Sequence, residues 1–119
     1  MGYIGYTQIF TRAENDALKI ITLDMKNSEN QSHFTITVTI KNTGRNDIAD
    51  AELNTVFIKD NDIVDTQKQS ISLQTNQENT YSITFPSVSF RPTSTYKAIT
   101  TIYFENMLLD TKTVTKQFP

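Results

Sequence analysis

An all-β fold is predicted for this chain: an antiparallel β-sandwich of seven to eight strands with a short N-terminal helix. Three observations predict it. In Phe34-Thr35-Ile36-Thr37-Val38-Thr39-Ile40 large apolar side chains fall on every second residue and threonines fill the gaps. A strand sends successive side chains to opposite faces, so Phe34, Ile36, Val38 and Ile40 point to a core while Thr35, Thr37 and Thr39 meet water. Similar runs recur about every ten residues with turn-forming residues between them. Beyond residue 17 no helical periodicity interrupts the series.

The first segment differs from the rest. Tyr6, Ile9, Phe10, Ala13 and Ala17 recur at helical spacing, so residues 1–17 read as a helical lead or membrane-proximal stalk, and residues 18–119 as the sandwich domain. Gly2-Tyr3-Ile4-Gly5-Tyr6 fits the aromatic, interfacial end of a membrane helix whose apolar part lies upstream. Within the sandwich, Ile21, Leu23 and Met25 make the inward side of a first strand, and Lys26 to Ser32 close it. The Phe34 strand ends at Asn42-Thr43-Gly44, residues that tolerate positive φ and bond their own backbone. Ala51, Leu53, Thr55 and Phe57 then alternate with Glu52, Asn54, Val56 and Ile58. Ile63 and Val64 restart extension after Asp60-Asn61-Asp62, and Ile71 with Leu73 forms a short strand. Tyr81, Ile83 and Phe85 follow, stopped by Pro86, which has no N–H for a ladder. Val88 and Phe90 plug the sandwich edge. Tyr96, Ala98, Thr100, Ile102 and Phe104 share one face of a long strand, Glu105-Asn106 makes a hairpin turn, and Leu108, Val114 and Phe118 share one parity of the last strand. This order of short strands without helical crossovers is that of an immunoglobulin-like sandwich.

Composition excludes several functions. At 119 residues the chain is one domain, large enough for a core. It has no cysteine, which removes disulfides, thiolate metal sites and cysteine nucleophiles. A formal charge of −2, with only Arg12, Arg45 and Arg91 as arginines, offers no stripe for nucleic acid. No window contains the ~20 apolar residues that span a bilayer, so membrane attachment is expected only through an upstream helix.

Catalytic and metal constellations are likewise lacking. His33 is the only histidine, beside Ser32, and no nucleophile elbow accompanies it; it reads as a turn residue, and no catalytic residue is assigned. Asp60, Asp62 and Asp65, flanked by Asp50, form the densest oxygen cluster. An EF-hand loop needs glycine where this chain has Asp65, leaving a looser inter-loop calcium site as the alternative to a solvated hairpin turn. No cofactor or metal is assigned. Asn30-Gln31-Ser32 matches a glycosylation acceptor on a loop, which favours an external location. Most of Phe57, Phe90, Tyr96, Tyr103 and Phe104 have the spacing of core residues rather than of a stacking platform.

One apolar feature remains unspent. Ile99, Thr101 and Tyr103 lie opposite the inward set of their strand, and Val56 with Ile58 opposite the inward set of theirs. If the two strands pair, these five residues form one strip on the outside of a sheet, the expected partner or dimer interface.

The alternating strand closed by Asn-Thr-Gly resembles immunoglobulin-like modules of archaeal and bacterial surface proteins, including the cell-adhesion-related domains of bacteria and archaea. The order along the whole chain, with an amphipathic lead (Tyr3 to Ala17), a strand Leu18 to Met25 and then the sandwich, resembles the soluble part of archaellum accessory proteins of the FlaF and FlaG type. That resemblance implies a non-enzymatic stator domain in the archaeal pseudoperiplasm, membrane-anchored at full length, which binds S-layer protein and dimerises to brace the archaellum, the archaeal flagellum. The alternative expectation is a carbohydrate-binding or calcium-dependent adhesion module of a larger secreted protein.

Overall fold

A computed structural model of the protein describes residues 17–28, 33–86 and 88–118. Among these, every regular element is a strand: β1 (Leu18–Asn27), β2 (His33–Asn42), β3 (Ile48–Lys59), β4 (Asp62–Leu73), β5 (Glu78–Pro86), β6 (Tyr96–Phe104) and β7 (Met107–Lys116). They form two antiparallel sheets, β1-β2-β5 and β4-β3-β6-β7, packed face to face as the alternation predicts. The helical lead expected over residues 1–17 and the glycosylation acceptor at Asn30 lie outside the described residues, except that Ala17 itself lies at a bend.

β2 carries the centre of the smaller sheet. Phe34, Ile36, Val38 and Ile40 are fully buried, and Ala51, Leu53, Phe57, Tyr96, Ala98 and Ile102 meet them from the larger sheet. At one end of the sandwich the core is aromatic. The Phe34 ring lies 5.0 Å from that of Phe57 and 4.6 Å from that of Tyr96, and Phe85 stacks on Phe57 at 5.1 Å. Phe90 stacks on Tyr96 at 6.0 Å, and with the buried Val88 it plugs this end as the sequence predicts. The hydroxyl of Tyr96 accepts from the Arg91 amide at 2.8 Å and donates to the Arg91 carbonyl at 3.3 Å. A tyrosine at the start of this strand, bonded to backbone just upstream, is the tyrosine corner of immunoglobulin-like domains.

The other end is held by polar contacts around Asn42, which is fully buried. Its amide donates to the carbonyls of Asn46 at 2.9 Å and Leu73 at 3.1 Å, and its Oδ1 accepts from the Gly44 amide at 2.9 Å. The expected self-bonded turn is therefore present. Positive φ is not: Asn42, Thr43 and Gly44 all have ordinary φ. Space is tight at Gly44, where a Cβ would meet Ala17 Cα at 3.1 Å.

Left-handed residues instead make the two tight hairpins, Asp60-Asn61 between β3 and β4 and Glu105-Asn106 between β6 and β7. Paired positive φ values, 50° and 72° in the first and 51° and 66° in the second, match the twist of the flanking strands.

Three strand details differ from the sequence reading, each through pairing. In β1 the register slips between Ile20 and Thr22, so Leu18 and Ile20 are buried and Ile21 is exposed; only beyond the slip do Leu23 and Met25 face inward. Ile63-Val64 and Ile71-Leu73 belong to one strand, β4, which gives seven strands. In the hairpin of β6 and β7 another irregularity, between Ile102 and Tyr103, turns Leu109 into the core and leaves Leu108 45% exposed.

Candidate interaction face

The five predicted contact residues share the outer face of the larger sheet. β3 and β6 are its central strands, and their inner positions (Leu53, Thr55 and Phe57; Ala98, Thr100 and Ile102) fill the core. The intervening positions must face out. Val56 lies directly opposite Ile99, Ile58 opposite Lys97, Thr101 opposite Asn54, and Tyr103 opposite Glu52. The strip is thus continuous across the strand pair, as expected if the two strands were neighbours.

Side strands shoulder it, so all five are half-buried. β4 sets Ile63 beside Ile58 and Thr66 beside Val56; β7 sets Thr113 beside Ile99, Thr111 beside Thr101 and Leu108 beside Tyr103. Ile63 is 69% exposed and, with Leu108, extends the apolar strip at its two ends. Sequence reasoning missed both extensions. A bulge in the β4 pairing frees Ile63 from the inner parity, and the Leu108-Leu109 doublet cannot reveal which leucine faces in until the register is known.

The rest of the face is hydroxyl and amide. The Thr101 and Thr111 hydroxyls bond each other at 3.0 Å. Asn54 Oδ1 is shut from solvent without a hydrogen-bond partner. A face of branched apolar side chains framed by threonines, with Lys97, Lys68 and Glu52 around it, can exclude water against a flat partner.

The residues weighed for chemistry have structural partners. Both Asp60 oxygens are engaged, Oδ2 by the Ser94 hydroxyl at 2.7 Å and Oδ1 by the Thr95 amide at 2.9 Å. The Thr95 amide first, then the Ser94 hydroxyl, hold this carboxyl below its usual range. Asp65 Oδ1 accepts from the Thr66 amide at 2.8 Å. Among the described residues no three acidic or histidine side chains come close enough to hold a metal ion. His33 opens β2, where its amide donates to Ser28 Oγ at 3.2 Å. Phe57, Phe90 and Tyr96 belong to the aromatic end, as their spacing predicts, and Phe104 packs against the core.

Solved structures share this fold. The chain is similar to part of a calcium-binding mutant of Bacteroides uniformis β-glucuronidase 2, at 21% identity and TM-score 0.65, covering 87% of this chain and 13% of that one. Parabacteroides merdae β-glucuronidase matches at 14% identity and TM-score 0.57, over 86% of this chain and 14% of the enzyme. The exo-chitosanase of Amycolatopsis orientalis matches at 12% identity and TM-score 0.55, over 85% and 13%. The chain thus spans only a small part of each enzyme, and the likeness is one of fold. No curated protein sequence matches it. The sequence matches the CARDB family over residues 15–112, most of its length. With the seven-stranded sandwich and the tyrosine corner, this match means that the chain belongs to the CARDB family of non-catalytic, immunoglobulin-like, adhesion-related modules.

Proposed function

We propose that this domain is a protein-docking module of an extracytoplasmic cell-envelope assembly, and that the outer face of β3 and β6 is its contact surface. The observation that carries the reading is the direct apposition of Val56 and Ile99, flanked by Ile58, Thr101 and Tyr103, on the outer face of the sheet. Apolar side chains on an outward parity add nothing to the core, and a flat partner would complete the burial that the side strands begin. At its most specific the module anchors the archaellum motor to S-layer protein from the archaeal pseudoperiplasm, and pairs with a second copy through the same face. The chain order of an amphipathic lead followed by a sandwich supports that reading. Sedimentation of the Ile99→Lys variant tests the face: a shift from dimer to monomer supports it, and a mass equal to that of the unsubstituted chain removes it.

A second reading follows from the glycosidase likeness: an accessory module within a larger secreted protein, binding carbohydrate or, with calcium, a surface. Calorimetry with calcium and with surface glycans separates the two, because protein docking alone predicts no heat from either.

A further inference from the structure

The seam between β1 and β7 joins the two sheets through side chains. The two strands belong to different sheets, so no backbone ladder links them. Side chains of β7 take that role. Asp110 Oδ2 accepts the Ile20 amide at 2.8 Å, while Lys116 Nζ donates to Asp24 Oδ1 at 2.7 Å and to the Met25 carbonyl at 3.1 Å. As contacts advance along β1 from Ile20 to Met25 they advance along β7 from Asp110 to Lys116, so the two strands run parallel. The links are staggered over five residues of β1, roughly 16 Å.

The chain enters β1 at the Asn42 end of the sandwich, where Leu18 pairs with Asn42 and the Ala17 carbonyl accepts the Thr43 amide at 2.8 Å. It leaves β7 at the opposite, aromatic end, where Lys116 pairs with Tyr96 and the Phe118 ring lies 5.7 Å from Phe34. Tension along the chain therefore pulls β1 and β7 in opposite directions along their shared axis. Bonds in that geometry are loaded together, in shear, whereas bonds across a peeling pair break one at a time. The other flank lies off this path; there Gln67 Nε2 donates to the Thr84 carbonyl at 2.6 Å.

We infer that the domain is a link that carries tension, and that the side-chain clasp of Asp110 and Lys116 on β1 resists stretching directly between the two terminal strands. This holds for any assembly in which the chain is pulled from its two sides, whichever partner the β3 and β6 face engages.

Constant-force stretching of tandem copies of the full chain tests it. The Asp110→Ala and Lys116→Met double variant is expected to unfold roughly tenfold faster at a given load, while Gln67→Ala on the other flank stays within about twofold of the unsubstituted chain. Asp24→Asn, which spares both strands' backbone contacts, keeps the test informative if the double variant folds poorly, and its rate should fall between the two. An unchanged rate in the clasp variants, or an equal acceleration from Gln67→Ala, overturns the inference. Loss of dimer mass in Ile99→Lys bears on the docking face alone.

Discussion

The two ends of the sandwich are closed by opposite physics. At one end Phe34, Phe57, Phe85, Phe90, Tyr96 and Phe118 interlock; at the other, Asn42 ties the β2–β3 loop to the end of β4 through one buried amide. Aromatic closure is insensitive to chemical detail and sensitive to volume, because its stabilisation scales with area removed from water and with packing. Amide closure reverses this. Its net gain per bond is small, yet losing the amide leaves the buried Leu73 carbonyl without that donor. One fold thus contains an end that tolerates substitution by shape and an end that tolerates it hardly at all.

Phe34→Ala should have the largest effect. Removing a fully buried ring that touches four other aromatic side chains is expected to cost about 4 kcal/mol, read as a fall in the urea midpoint. Phe34→Leu should recover most of that loss; if it recovered none, ring geometry rather than volume would rule this end. Asn42→Leu keeps the volume and deletes the bonds. It is expected to cost about 2–3 kcal/mol by stranding the buried Leu73 carbonyl, and a neutral result would break the contrast between the ends.

A smaller effect distinguishes the polar handle within the aromatic end. Tyr96→Phe keeps the stack and removes the bonds to Arg91, so about 1–2 kcal/mol should be lost while the core packing survives, checked by near-ultraviolet dichroism.

Acid provides the mildest probe. Asp60 titrates below its ordinary 3.8 in the folded domain because it accepts from Thr95 and Ser94, and so does Asp24, chiefly through Lys116. A depressed folded value means the stabilisation is complete above the unfolded pKa and is lost as pH falls through the folded one. The stability gap between the unsubstituted domain and Asp60→Asn should therefore close below about pH 3.8; a gap that persisted in stronger acid would show that Asp60 acts other than as an anion.

Much of this was legible beforehand, and the exceptions are instructive. The inward residues of β2, β3 and β6 follow from alternation alone, as does the shared outward parity of Val56, Ile58, Ile99, Thr101 and Tyr103. That these five meet on one sheet required β3 to pair with β6 across nearly forty intervening residues, a long-range event that no local pattern encodes. Tyr96 was readable as core, but its hydroxyl could be placed only once the Arg91 backbone was known.

By itself, the order of residues determined the pleated layers: period-two hydrophobicity makes any strand half-buried, and Pro86, Asp60-Asn61 and Glu105-Asn106 mark where strands must stop. Tertiary structure decided which leucine or isoleucine faces inward at each slip of register, made one strand of β4, and set Asp110 and Lys116 against β1. The physical reason is that a bulge or a cross-sheet bond is settled by partners distant in sequence, after the local alternation has already been satisfied.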